Sequence, residues 1–137
     1  MPRAPHLFVD ISSHGFGHLA QVAPILNELR RLRPNLRLTV RSGLPAEKLR
    51  ARVQGEFVHM AGRSDFGFVM LDAVGIDLAA TAQDYRIQHA DWPRRVADEA
   101  ALLDAVKPDL VLTDVAYLPL AGAARAGIPS LSMCSLN

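Results

Sequence analysis

Two histidines four residues apart, His14 and His18, stand in the run Ser12-Ser13-His14-Gly15-Phe16-Gly17-His18, and a carboxylate able to work with them, Asp114, comes much later in the chain. Imidazole exchanges a proton near neutral pH. As a general base it needs a partner that orients the ring and stabilises the imidazolium, usually a carboxylate on the far nitrogen. Asp114 closes the apolar run Leu110-Val111-Leu112-Thr113, and His18 lies where the glycine-bearing loop enters a helical pattern. His18 is therefore the candidate base and Asp114 its candidate orienting group. Each also has a plainer use, His18 as a hydrogen bonder at a helix start and Asp114 as a cap or turn residue.

The loop between them has the composition of a binding segment. Glycines permit torsions and close approaches that other residues forbid, and the free N–H groups of a helix start attract anions. Ser13, His14, Gly15, Phe16 and Gly17 are the candidate substrate-binding residues, with His14 placed to donate to a hydroxyl or phosphate. The spacing of His14 and His18 would suit a metal only on a helix. Gly15 and Gly17 interrupt it, no third ligand is evident, and His59 and His89 are scattered, so no metal site is expected. Gly15-Phe16-Gly17 followed by Ala20 matches a dinucleotide fingerprint only in part. The second strand closes on Arg41 or Ser42 rather than on an acid that would hold a ribose, which argues against a nicotinamide or flavin cofactor.

The elements that must position these residues alternate. Strands are predicted at His6 to Ile11, Leu36 to Arg41, Glu56 to His59, Leu110 to Thr113 and Ser130 to Cys134, with a weaker one at Gly67 to Met70. Most are short and apolar without clean alternation, as in strands covered on both faces. Helical spacing runs from Leu19 to Leu32, where Pro24 predicts a bend or a late start. Pro45 opens a short helix to about Arg52. Ala79 to Val106 reads helical with a break near Trp92-Pro93, and Leu118 to Ala126 ends on Gly127 as a left-handed cap. Ala61 to Ile76 is the least readable stretch. The pattern predicts an α/β, Rossmann-like parallel sheet with helices on both faces. Sites in such sheets lie beyond the carboxyl ends of the strands, where the strand order reverses. The histidine loop and Asp114 both follow strands, so both belong on that edge.

Composition narrows the class. The chain has 137 residues, enough for one domain, with 50% hydrophobic and 21% charged residues, as in ordinary soluble domains. A net charge of +1 lacks the basic footprint of a nucleic-acid binder. The single cysteine, Cys134, excludes an internal disulfide and fits a reducing compartment. No apolar run suits a membrane span or signal peptide, so a cytoplasmic location is expected. Arg30, Arg31, Arg33 and Arg37 form a basic patch that could touch anionic lipid as a peripheral contact, although most such patches are solvated faces. Phe16, Phe66, Phe68, Tyr85 and Trp92 could line a stacking wall or simply pack in the core. The last strand comes just before the end of the chain, where an α/β domain would continue with a helix, so residues 1–137 are expected to form one domain, the front half of a longer protein or of a two-chain enzyme.

Two segments carry a family resemblance. Phe8 to Leu29, centred on His14-Gly15-Phe16-Gly17-His18, resembles the opening of glycosyltransferases of the GT-B architecture, which have two facing Rossmann-like domains. Pro108 to Asp114, continuing through Ala121 to Pro129, resembles the close of the same amino-terminal domain. The loop is also similar to the glycosyltransferase-like front half of sugar kinases such as L-arabinokinase. In plant-type members a Gly-His pair after the first strand supplies the base and a later aspartate orients it, and Gly17-His18 and Asp114 match those positions. The chain departs from them at Gln21, where a proline is frequent, and carries Pro24 instead. The resemblance implies the acceptor-binding, base-bearing half of an enzyme that moves a sugar from a nucleotide sugar to a hydroxyl. The donor is a substrate, no separate cofactor is implied, and a carboxyl-terminal donor-binding domain or partner subunit is required. Two alternatives stand beside this: half of a nucleotide-sugar epimerase, which shares the two-domain plan, or, from another class, a non-catalytic binding or regulatory module of a sugar kinase or two-chain transferase. An exposed half-cleft could also pair with a second copy as a homodimer.

Overall fold

A computed structural model describes residues 2–133, so Cys134, to which the last strand was expected to extend, lies outside them. The elements alternate: β1 (His6–Asp10), α1 (Gly17–Leu32), β2 (Arg37–Ser42), α2 (Ala46–Arg52), β3 (Val58–Ala61), α3 (Leu78–His89), α4 (Trp92–Val106), β4 (Leu110–Thr113), α5 (Leu118–Ala126) and β5 (Ser130–Ser132). Among the described residues the sheet has five strands, all parallel, in the order β3-β2-β1-β4-β5. β1 is central, and the order reverses between it and β4. The loops after these two strands therefore diverge and leave a crevice at the carboxyl edge.

Each face of β1 feeds a different core. Leu7 and Val9 join Leu19, Val22, Ala23 and Leu26 of α1 and Leu49 of α2. Phe8, one residue out of phase, packs with Leu103 of α4, Val111 and Ala123 of α5. All five β1 residues are buried, as a strand covered by helices on both sides must be. On the second face α4 and α5 approach closely at Gly122, where a Cβ would come within 2.5 Å of Glu99 Cγ.

Several boundaries differ from expectation. Pro24 does not delay α1, which begins at Gly17. Pro24 and Ala20 both lie on the exposed side, so the Ala20 carbonyl that loses its partner can turn to water. Pro45 caps α2 instead of forming its first residue. β3 is shifted to Val58–Ala61, and Gly67 to Met70 forms no strand, Met70 making only an isolated bridge to Ile76. The helical break falls just before Trp92: Asp91 caps α4 and Pro93 sits in its first turn, where a missing N–H costs nothing. Gly127 closes α5 at φ 72°, as its left-handed role requires. No helix among the described residues is long and apolar enough to cross a membrane.

Candidate functional site

The polypeptide leaves β1 through Ile11 and Ser12, both buried, and Ser12 is the first fixed point of the site. Its N–H donates to Asp114 Oδ1 at 3.1 Å, tying the loop after β1 to the loop after β4. Val115 N–H donates to the same oxygen at 2.8 Å. That leaves Oδ2 of Asp114 for His18, whose Nδ1 lies 2.9 Å away. The oxygen sits off the direction of the ring N–H, so this is a close approach rather than an aligned hydrogen bond. Catalytic contacts are often poorly aligned before a ligand binds. His18 is 6% exposed and Asp114 1%. Burial holds the Asp114 carboxyl above its ordinary range, against the pull of the Ser12 N–H, of His18 and of the Val115 N–H.

The loop residues divide by role. Gly15 alone among them has a left-handed backbone, φ 97°, which a side chain would strain. Gly17 starts α1 in ordinary geometry with open space where a Cβ would be, and Phe16 caps the helix without any side-chain hydrogen bond. The first N–H groups of α1 thus receive no cap from the residue before the helix. Ser13 packs beneath Gly43, and Phe16 lies outside with Lys48 Nζ 5.7 Å above its ring. His14 turns the other way, toward Asp65, and its ring lies against Gly67, where a Cβ would meet it at 2.6 Å. His14 also borders a groove of about 460 Å³ shared with Arg63, Phe68, Gln83 and Ile87.

Sequence reasoning missed a buried polar layer beneath this loop. Arg41, read only as a non-acidic strand end, pairs in register with Asp10 and donates to its Oδ2 at 2.6 Å. It also holds Glu99 of α4 with both terminal nitrogens, at 3.0 Å for one of them, and lies over the Phe8 ring. Ser64 Oγ donates to Asp10 Oδ2 at 2.8 Å. Burial pushes Asp10 up to about 6, opposed chiefly by Arg41. Burial also weighs on Arg41, but its bonds to Glu99 and the charge of Asp10 outweigh it and hold the guanidinium above its usual range. Asp65, 6% exposed, accepts from Ser12 Oγ at 2.7 Å. Nothing local in the sequence marks Ser64 or Asp65. They reach β1 only because β3 lies two strands away in the sheet, so the chain leaving β3 can cross back over the carboxyl edge.

The proposed aromatic wall divides. Phe66, Tyr85 and Trp92 gather around His89, with ring centroids 5.8, 4.2 and 5.3 Å from it, and Tyr117 joins them. Phe16 and Phe68 stay exposed and outside that group. In the basic patch, Arg30 is committed to the carbonyls of Gln54 and Glu56, and Arg31 pairs with Glu28. His59 bonds the Ser42 carbonyl at 3.2 Å. Among the described residues no group of three or more His, Cys, Asp or Glu is placed to hold a metal ion. A second hollow, about 550 Å³, lies at the amino edge of the sheet beside His6 and Arg30. There His6 Nε2 bonds Thr39 Oγ1 at 2.8 Å, and burial, then Arg37, push that ring toward its neutral form.

No protein-family model matches the chain. Over 130 residues it is 27% identical to the L-arabinokinase of Arabidopsis thaliana, covering 93% of this chain and only 12% of that protein. The calicheamicin glycosyltransferase CalG4 matches 96% of the chain at a TM-score of 0.56 and 25% identity, using 32% of its own length. The C-terminal domain of a hydrogenase from Pyrococcus furiosus matches equally broadly, at a TM-score of 0.54 and 13% identity, with 92% of it covered. Such a likeness shows a shared fold and says nothing of chemistry. Topology and likeness together give this chain the Rossmann-like α/β fold of the domains that build GT-B glycosyltransferases, and a sequence similar to one stretch of a much longer L-arabinokinase.

Proposed function

We propose that the chain is the acceptor-side, base-bearing domain of a glycosyltransferase that uses a nucleotide sugar. The observation that carries this reading is the approach of His18 Nδ1 to Asp114 Oδ2 at 2.9 Å, across the point where the strand order reverses. In the proposed step an acceptor hydroxyl oxygen attacks the anomeric carbon, and the bond from that carbon to the nucleoside diphosphate breaks with its electron pair leaving on the diphosphate. The hydroxyl proton passes to His18 Nε2, the nitrogen turned away from Asp114. Asp114 then stabilises the imidazolium. General-base help of this kind is worth about 10²- to 10⁴-fold. The uncapped N–H groups at the start of α1, with Ser13 to Gly17, would contact acceptor oxygens or the donor diphosphate. The scheme asks for no metal, because helix N-termini and basic groups of a second domain can stabilise the leaving diphosphate.

The likeness to L-arabinokinase favours one other reading, a sugar-recognition module attached to a kinase. One experiment separates the two. The intact gene product is incubated with UDP-, GDP- and dTDP-sugars and a panel of free sugars, and nucleoside diphosphate release is followed. A transferase releases diphosphate in step with glycoside formation, and His18→Ala lowers that turnover at least 100-fold with the melting temperature kept. Turnover near wild type in His18→Ala removes the base. Binding of free sugar without any transfer supports the module.

A further inference from the structure

The His18–Asp114 pair has a neighbour built on the same plan. His14 Nε2 lies 3.8 Å from Asp65 Oδ2, and Asp65 is as deeply buried as His18. Both pairs meet at one residue. Ser12 gives its backbone N–H to Asp114 Oδ1 at 3.1 Å and its hydroxyl proton to Asp65 Oδ2 at 2.7 Å, while its oxygen accepts from His14 N–H at 3.3 Å. Ser12 is 1% exposed, so water does not compete for these bonds.

Asp65 has no evident reason to be there for stability. Its Oδ1 is sealed from solvent without a hydrogen-bond partner among the described residues, an arrangement that burdens folding. Its charge also opposes ionisation of both Asp10 and Asp114. Arg41, the guanidinium buried nearby, is taken up by Asp10 and Glu99. The segment nevertheless delivers Asp65 firmly: Ser64 is bonded to Asp10 on one side, and Gly67 fits against the His14 ring on the other.

We propose that Asp65 is a positioning residue which, through Ser12, sets the placement of both His14 and the His18–Asp114 pair, so that the two imidazole–carboxylate pairs act as one unit joined at Ser12. The catalytic part of this inference rests on the transferase reading; the structural coupling does not. A displacement of Ser12 moves the acceptor of His18 directly, because the same residue fixes Asp114. Misplacement by about 1 Å can cost on the order of 10²-fold in rate.

The test uses Asp65→Asn, which keeps shape and hydrogen-bonding capacity while removing charge, and Ser12→Ala, which frees Asp65 but leaves the backbone bond to Asp114. Imidazole nitrogen resonances of His14 and His18 are recorded at one fixed pH in the wild-type chain and in each variant. Both variants are expected to move the His18 nitrogens, although residue 65 does not touch that ring, with the fold retained. In the intact protein, Asp65→Asn is expected to lower kcat at least ten-fold with the melting temperature kept. His18 resonances unchanged in a folded Asp65→Asn chain overturn the coupling, and should that variant fail to fold, unchanged resonances in Ser12→Ala do the same. If the resonances move but His18→Ala leaves turnover intact, the coupling stands and the role of His18 as base fails instead.

Discussion

Asp114→Asn removes both the electrostatic and the tautomer-setting contribution of Asp114 to the proposed mechanism. The amide keeps an oxygen for the N–H groups of Ser12 and Val115, so the two loops stay joined. Its NH₂ then faces His18 Nδ1 and favours the tautomer with the proton on Nε2, the nitrogen that must accept one. The lost attraction can be sized. At 2.9 Å, with an effective dielectric of about 20, a full imidazolium–carboxylate contact is worth roughly 6 kcal/mol. The amide dipole and residual solvent recover part of this, leaving about 3–5 kcal/mol, or roughly 10²- to 10⁴-fold in kcat. Stability should move little or rise. Burial holds the Asp114 carboxyl above its ordinary range, so the native state binds a proton more readily than the unfolded chain. That contribution is complete below the unfolded value and is lost as pH rises through the folded one, leaving the ionised carboxylate a burden at neutral pH. The neutral amide removes that burden. Steady-state turnover of the intact protein and thermal unfolding by circular dichroism read the two effects. A folded variant whose kcat is within threefold of wild type refutes the role of Asp114.

Two further outcomes concern the polar layer. Arg41→Met strands Asp10 and Glu99 as buried carboxylates, which should cost about 3–5 kcal/mol and lower the melting temperature by roughly 10 °C or more at pH 8; a loss of only two or three degrees would show that the layer is wetter than its burial implies. Asp10, pushed up to about 6, should make stability fall as pH rises from about 4 to 6, so urea midpoints across that range should flatten in Asp10→Asn, and equal slopes in the two proteins would count against that carboxyl.

Much of this was readable from the chain. His18 and Asp114 were recognisable because the loop that leads to His18, and Asp114 itself, directly follow apolar runs, and in a parallel sheet every such position reaches the same edge. That they touch depends on β1 and β4 being neighbours, which strand order decides. Periodicity placed α1, and Gly127 and Pro93 marked helix ends through their backbone chemistry. Pro24 misled, since its cost depends on which face of the helix it occupies. The polar layer was invisible for a different reason. Arg41 meets Glu99, Ser64 meets Asp10 and Asp65 meets Ser12 across 50 or so residues of chain, and none sits in a pattern that local spacing can detect. The segment after β3 is rich in apolar residues, but Phe68 to Leu71, Val74 and Ile76 stay exposed, so their spacing follows no packed face.

The sheet and α3 differ in how they are held. None of the described residues of α3 is buried, and the helix is fixed by the Asp77 cap, by Thr81 accepting from Val69 N–H, by Gln88 reaching Ser64 and by ring contacts at Tyr85 and His89. The opposite side of the crevice rests on β1, hydrogen-bonded along both edges. Amides of α3 can therefore exchange through local opening while those of β1 wait for the whole domain to unfold. Substitutions along α3 could reshape one bank of the crevice at little cost to folding, whereas the bank that carries the imidazoles is bound to the survival of the sheet itself.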